Sequence, residues 1–122
     1  MKIAISAKGP ELDSRIDPRF GRAAYFIIVN PETMEFKAIN NSQNADAMQG
    51  AGIQAAQTVI HEDADVVITG YCGPKAFMAL RAASVKVATS EGESETVRSA
   101  IEEFKKNKLS YVESPNVAGH WR

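Results

Sequence analysis

Apolar residues occur in two alternating patterns along the chain: short unbroken runs, and longer stretches in which they recur every third or fourth position. Lys2-Ile3-Ala4-Ile5-Ser6 is a run of the first kind that gives way to turn residues, as a buried central strand does. Tyr25-Phe26-Ile27-Ile28-Val29 predicts a second strand, and the turn Asn30-Pro31-Glu32-Thr33 leads into a third, Glu35-Phe36-Lys37-Ala38-Ile39. That third run alternates polar with apolar residues, so it is expected at a sheet edge with one wet face. Ile53, Ala56, Val59 and Ile60 form one stripe of a helix. Asp65-Val66-Val67-Ile68-Thr69 is the strongest buried-strand signal. Gly73-Pro74 opens a second helix, because a proline in the first turn gives up an N–H that would have no helical partner. Its inner face is Ala76, Phe77, Leu80 and Ala83. Val85 to Ala88 predicts a fifth strand, and Val97, Ala100, Ile101 and Phe104 a third helix. Leu109 to Val112 is read as a little extended chain, and 113–122 as a C-terminal tail.

The order β-β-β-α-β-α-β-α predicts an α/β domain of three layers, with a five-stranded mixed sheet in the order 3-2-1-4-5 and only strand 2 antiparallel. In that arrangement the loops Ala7 to Ala23, Asn40 to Gly50, Gly70 to Pro74 and Thr89 to Ser94 gather at one edge. The chain leaves strand 1 toward strand 2 and strand 4 toward strand 5, and open α/β sheets usually bind ligands at such a divergence. The first loop is longer than a plain connection requires.

The 122 residues are 44% hydrophobic and 24% charged, which suits one domain, expected over 1–112, with a sizeable core. A net charge of −1 gives no global field to attract nucleic acid or an anionic membrane, so an anion would have to be caught locally. The single cysteine, Cys72, excludes an intrachain disulfide framework and fits a reducing, cytoplasmic setting. The N-terminal apolar run is far shorter than a signal-peptide core or a spanning helix.

Asp17-Pro18-Arg19-Phe20-Gly21-Arg22 sets two guanidinium groups around a glycine in the loop beside the expected crevice, with Arg15 nearby. Paired arginines can grip a diffuse polyanion; the competing reading is that Glu11, Asp13 and Asp17 pair with them and only pin the loop. Gln49-Gly50-Ala51-Gly52 precedes a helix whose first N–H groups and dipole favour an anion, although these glycines could equally serve a tight turn. The segment has neither GxGxxG nor the Lys-Ser/Thr of a P-loop. Cys72, before Gly73-Pro74, could be a thiolate at a helix start or a small buried hydrophobe. His61 and His120 are isolated, and no CxxC or HExxH occurs, which argues against a conventional zinc or iron-sulfur site. The topology also admits a ribonuclease H-like nuclease, but strand 1 carries no carboxylate and Asp65 begins strand 4 at the wrong end. No GxSxG elbow supports serine catalysis.

Three segments, Asp17 to Ala23 followed by Phe26, Gly50 to Ile53, and Gly70 to Phe77 with Leu80, resemble the dinitrogenase iron-molybdenum cofactor biosynthesis family over roughly residues 1 to 112. Gly50 to Ala56 and Gly70 to Phe77 are most similar to its orange-protein branch, whose members carry a molybdenum-copper sulfide cluster without covalent attachment. The resemblance implies a ribonuclease H-like fold used as a non-enzymatic carrier or store of an anionic metal-sulfide cluster. The alternative cargo is the iron-molybdenum cofactor or its iron-sulfur precursor. The residues expected to surround it are Arg15, Arg19, Phe20, Gly21, Arg22, Met48, Gly50, Gly52, Tyr71, Cys72, Gly73 and Pro74. Chromosome-partitioning-type ATPases are the partner class implied. The radical-enzyme cysteine motif of the related cofactor synthase is absent, so that activity does not transfer. A regulatory protein-interaction domain and a metal-dependent nuclease are the competing functions.

Overall fold

The computed structural model describes residues 1–46, 50–90 and 95–115. Among them the apolar runs pair into one sheet: β1 (Ile3–Ala7), β2 (Tyr25–Val29), β3 (Phe36–Asn40), β4 (Val66–Thr69), β5 (Lys86–Thr89) and β6 (Ser110–Tyr111), in the order β3-β2-β1-β4-β5-β6. β1 pairs parallel with β4, and β4 with β5, whereas β2 runs antiparallel to both β1 and β3. The expected order is therefore present, with a correction. A sixth strand, β6, closes on β5 in the antiparallel sense, so the sheet is not five-stranded and β2 is not its one reversed strand. β6 falls within Leu109 to Val112, the segment expected to be extended; both its residues are exposed, so no burial pattern marks it as a strand of the sheet.

Strand side chains alternate between two cores on opposite faces of the sheet. Ala4, Phe26, Ile28, Val67 and Val87 face one layer, formed by α2 (Ala51–His61) and α3 (Pro74–Ala82). Ile3, Ile5, Ile27, Val29 and Ile68 face the other, formed by α4 (Val97–Lys105) with Leu12 and Ile16 of the first loop. A central strand covered on both faces reads as an unbroken apolar run, and all of β1 and β4 is buried. β3 is exposed at four of its five positions, as its alternation predicts for an edge.

The stretch from Asn40 to Gly50, expected as loop, contains a one-turn helix, α1 (Ser42–Ala45). At one turn it is too short to be stable by itself, and side-chain hydrogen bonds hold it in place. Asn41 Nδ2 donates to Ala23 O at 2.8 Å, and Asn44 Nδ2 to Ala51 O at 2.8 Å. The strand directions bring the loops after β1, β3, β4 and β5 to one edge, and no described helix is long and apolar enough to cross a membrane.

Candidate functional site

The first loop divides into two halves that serve different partners. Its first half joins α4: Ile16 N donates to Glu95 O at 3.0 Å, Val97 N to Ser14 O at 2.9 Å, and Arg15 pairs in an isolated bridge with Thr96. Its second half extends alongside the end of β4. Tyr71 N and Gly70 N donate to Pro18 O at 2.6 and 3.1 Å, Phe20 N donates to Tyr71 O at 3.1 Å, and Arg19 and Tyr71 form a parallel bridge.

Two hydroxyls at the ends of the central strands anchor this half. Ser6 Oγ donates to Asp17 O at 2.6 Å and lies 2.7 Å from Thr69 Oγ1, with all three residues buried. Glycines then bring the segments into backbone contact. A Cβ on Gly21 would lie 2.9 Å from both Cα and N of Gly52, and one on Gly70 would lie 2.8 Å from Pro18 Cβ. Only the absence of a side chain allows these approaches.

The starts of α2 and α3 lie side by side, a Cβ on Gly52 falling 3.3 Å from Ala76 Cβ, and with the loop they border a pocket of about 290 Å³. It is lined by Phe20 and Gly21 from the loop, Gly50, Gly52 and Ile53 from α2, and Gly73 to Ala76 from α3. Gly50, with φ +77°, and Gly73 are the N-caps, and neither helix start has a side-chain cap. The first intrahelical bonds are Gln54 N to Gly50 O and Phe77 N to Gly73 O. The N–H groups of Ala51, Gly52 and Ile53, and of Lys75 and Ala76, therefore precede both helical ladders and carry the positive ends of both dipoles. With the Lys75 ammonium, this is an electropositive hollow with an apolar lining. Chemically it suits an anion that accepts many weak N–H bonds.

Of the residues expected from sequence, Phe20, Gly21, Gly50, Gly52, Gly73 and Pro74 meet at this pocket. Arg22 lies beside it, with Nη1 donating to Ala45 O at 2.9 Å. Arg19 is held by Asp17: Nε and Nη2 each lie 3.3 Å from a carboxylate oxygen, although the arginine side chain is 61% exposed. Arg15 sits with α4 and does not line the pocket. Tyr71 contributes backbone bonds to the loop. Cys72 lies beneath, in the core between sheet and helices. Desolvation by burial pushes its thiol up to about 12 from an ordinary 9.0, the reverse of the lowering a helix start could give. Met48 lies outside the described residues. Ile53, expected only in the helix stripe, and Lys75 are not among the site residues expected from sequence, though Lys75 directly follows Gly73-Pro74, where N-terminal donors collect. The roles of Ser6 and Thr69 were hidden because a hydroxyl at a strand end reads as a boundary.

Residues 1–107 match the model of the dinitrogenase iron-molybdenum cofactor family, and the chain belongs to that family. The fold is that of small α/β domains among the solved structures similar to it. Among solved structures, the apo form of the orange protein from Desulfovibrio gigas is similar at 44% identity and a TM-score of 0.90, covering 95% of this chain and 96% of that one. A putative NifB protein from Thermotoga is 34% identical, with a TM-score of 0.81 over 97% and 98% of the two chains. An uncharacterised Methanocaldococcus jannaschii protein, MJ0580, is 30% identical over 71% of this chain and 72% of its own.

Proposed function

We propose that this protein binds an anionic metal-sulfide cluster in the pocket between the starts of α2 and α3, and carries or stores it without transforming it. The observation that carries this reading is the convergence of two helix N-termini, neither capped by a side chain, on one apolar-lined hollow. Membership in a cofactor family and similarity to a protein solved as an apo form support it.

The donor set fits such a cargo. Among the described residues no group of three or more His, Cys, Asp or Glu could hold a bare metal ion. In this reading the metals arrive with their own sulfide ligands, and the protein would grip those sulfides from outside through backbone N–H groups, Lys75 and the loop arginines. A mixed molybdenum-copper sulfide is the cluster we favour, since it is anionic and brings soft ligands. A neutral, buried Cys72 is a poor ligand beside them. The nuclease alternative loses ground, because two of the three carboxylates of the first loop are paired with arginines, Asp13 with Arg98 and Asp17 with Arg19.

The test is to titrate the purified protein with tetrathiomolybdate and copper(I), following the visible spectrum and the metal content after gel filtration. A coloured, stoichiometric species is expected, and Lys75→Ala with Arg22→Ala should weaken it about tenfold or more. No retained metal, or equal affinity in the double variant, would defeat this assignment.

A further inference from the structure

We propose that Asp17 is a positioning residue for the pocket, acting through Arg19; the inference deepens the cluster-binding reading and rests on it. Asp17 is a carboxylate only 4% exposed, in a loop. Its backbone is fixed at both ends, N donating to Ser6 O at 3.0 Å and O accepting from Ser6 Oγ at 2.6 Å. Its carboxylate accepts from Arg19 three times, from the backbone N at 3.0 Å and from Nε and Nη2 at 3.3 Å each.

The turn alone would be served by a neutral acceptor such as asparagine, which also bonds the N–H two residues on. The negative charge adds something a turn does not need: it holds a long cationic side chain in one orientation. Arg19 has five N–H donors in a planar fork, and Asp17 engages one edge of it, which leaves the rest turned toward solvent. Because Arg19 also bridges Tyr71, the same carboxylate steadies the extended course from Pro18 to Phe20. That course delivers Phe20 and Gly21 to the pocket wall. Asp17 thus sets both the direction of a cation on the loop that forms one wall of the pocket and the backbone of that wall, without lining the pocket itself.

The whole chain is tested as Asp17→Asn, Arg19→Gln and the double variant, by two measurements. Hydrogen exchange of the Phe20, Gly70 and Tyr71 amides without cluster reads the wall, and titration with tetrathiomolybdate and copper(I) reads the grip. Asp17→Asn, which keeps the bond from Arg19 N, should leave exchange at these amides unchanged and lower affinity about tenfold, the scale of one charge-assisted hydrogen bond. In the Arg19→Gln background the same change should cost little further affinity, whereas a merely structural aspartate would cost the same in both backgrounds. Unchanged affinity in Asp17→Asn, or full additivity in the double variant, overturns the proposal while leaving cluster binding intact. Wild-type protein that retains no cluster overturns both. Should Asp17→Asn fail to fold, Arg19→Lys replaces it; this keeps the charge and removes the fork, and undiminished affinity there is equally fatal.

Discussion

The two ends of α3 each border a hollow of similar size, about 290 Å³ at the start and about 350 Å³ at the finish, yet they are opposite in chemistry. At the start, glycines bring backbone N–H groups to the surface with no side-chain cap. At the finish, between α3, β5 and β6, the cations are already engaged. Arg81 lies over the Phe77 ring at 5.4 Å and 3.7 Å from a Glu113 carboxylate oxygen, and Lys86 lies over the Tyr111 ring at 5.3 Å. The second hollow has two cations to the first hollow's one, but both have partners and it sits at the negative end of a helix dipole, so our proposal makes it the weaker anion site. Volume does not distinguish the two; the state of the donors does.

The largest effect is expected where backbone meets backbone. In Gly21→Ala the added Cβ would fall 2.9 Å from Gly52 Cα and N, and neither atom can swing aside as the tip of a side chain could. The loop and α2 must separate, at a cost of about 1–3 kcal/mol, and the pocket wall goes with them. Denaturant unfolding together with cluster titration checks this. A variant with wild-type stability and affinity would mean that the contact is not what shapes the pocket.

Cys72 is the next test, because it lies directly before α3 and faces the core. Truncation in Cys72→Ala should cost about 1 kcal/mol, the scale of one buried methylene. Its raised thiol also predicts a pH dependence of defined sign. In the unfolded chain the thiol ionises near its ordinary 9.0, while in the folded protein it stays protonated up to about 12. The stability it contributes is therefore full below about pH 9 and is lost as pH rises toward 12. Unfolding midpoints against pH should show this decline in the wild type and a shallower one in Cys72→Ala. In Cys72→Ser the spectrum of a bound cluster should hardly move. A large shift would make the thiol a metal ligand and draw the core into the site.

Legibility in the sequence follows the same division between side-chain pattern and backbone geometry. β2 was read with its limits intact, and the order β3-β2-β1-β4-β5 came from placing the most apolar runs centrally, because burial on two faces leaves a pattern in residue type. α1 and β6 left no such pattern: one is four polar or small residues held by Asn41 and Asn44, the other two exposed residues at an edge. The pocket was half legible. Glycines and the proline marked helix starts, but nothing in the residue order shows that Gly21 touches Gly52. Nor does composition show that Asp17 engages Arg19 while Arg15 goes to α4; of the two readings of that charged loop, the pinning one holds for the Asp17–Arg19 pair.

The smallest effect belongs to the far end of α3, and its smallness is what the comparison requires. Arg81 and Glu113 have side chains 61% and 85% exposed, so solvent screens their pairing, and the Arg81 contact with Phe77 adds only a modest attraction. Arg81→Ala should change stability by about 0.5 kcal/mol or less, and Lys86→Ala by a similar amount, since Lys86 is likewise exposed. Neither should alter cluster affinity beyond a weak, salt-sensitive change, because their charges lie at the opposite end of α3 from the pocket and screening damps exposed charges over about 8 Å at physiological ionic strength. Paired titrations of Arg81→Ala and Lys75→Ala at low and physiological salt make the contrast direct: both remove one cation from the same helix, one at each end. If Arg81→Ala weakened binding as much as Lys75→Ala at both salt concentrations, net charge would govern cluster capture, and the distinction between uncommitted backbone donors and partnered cations would fail.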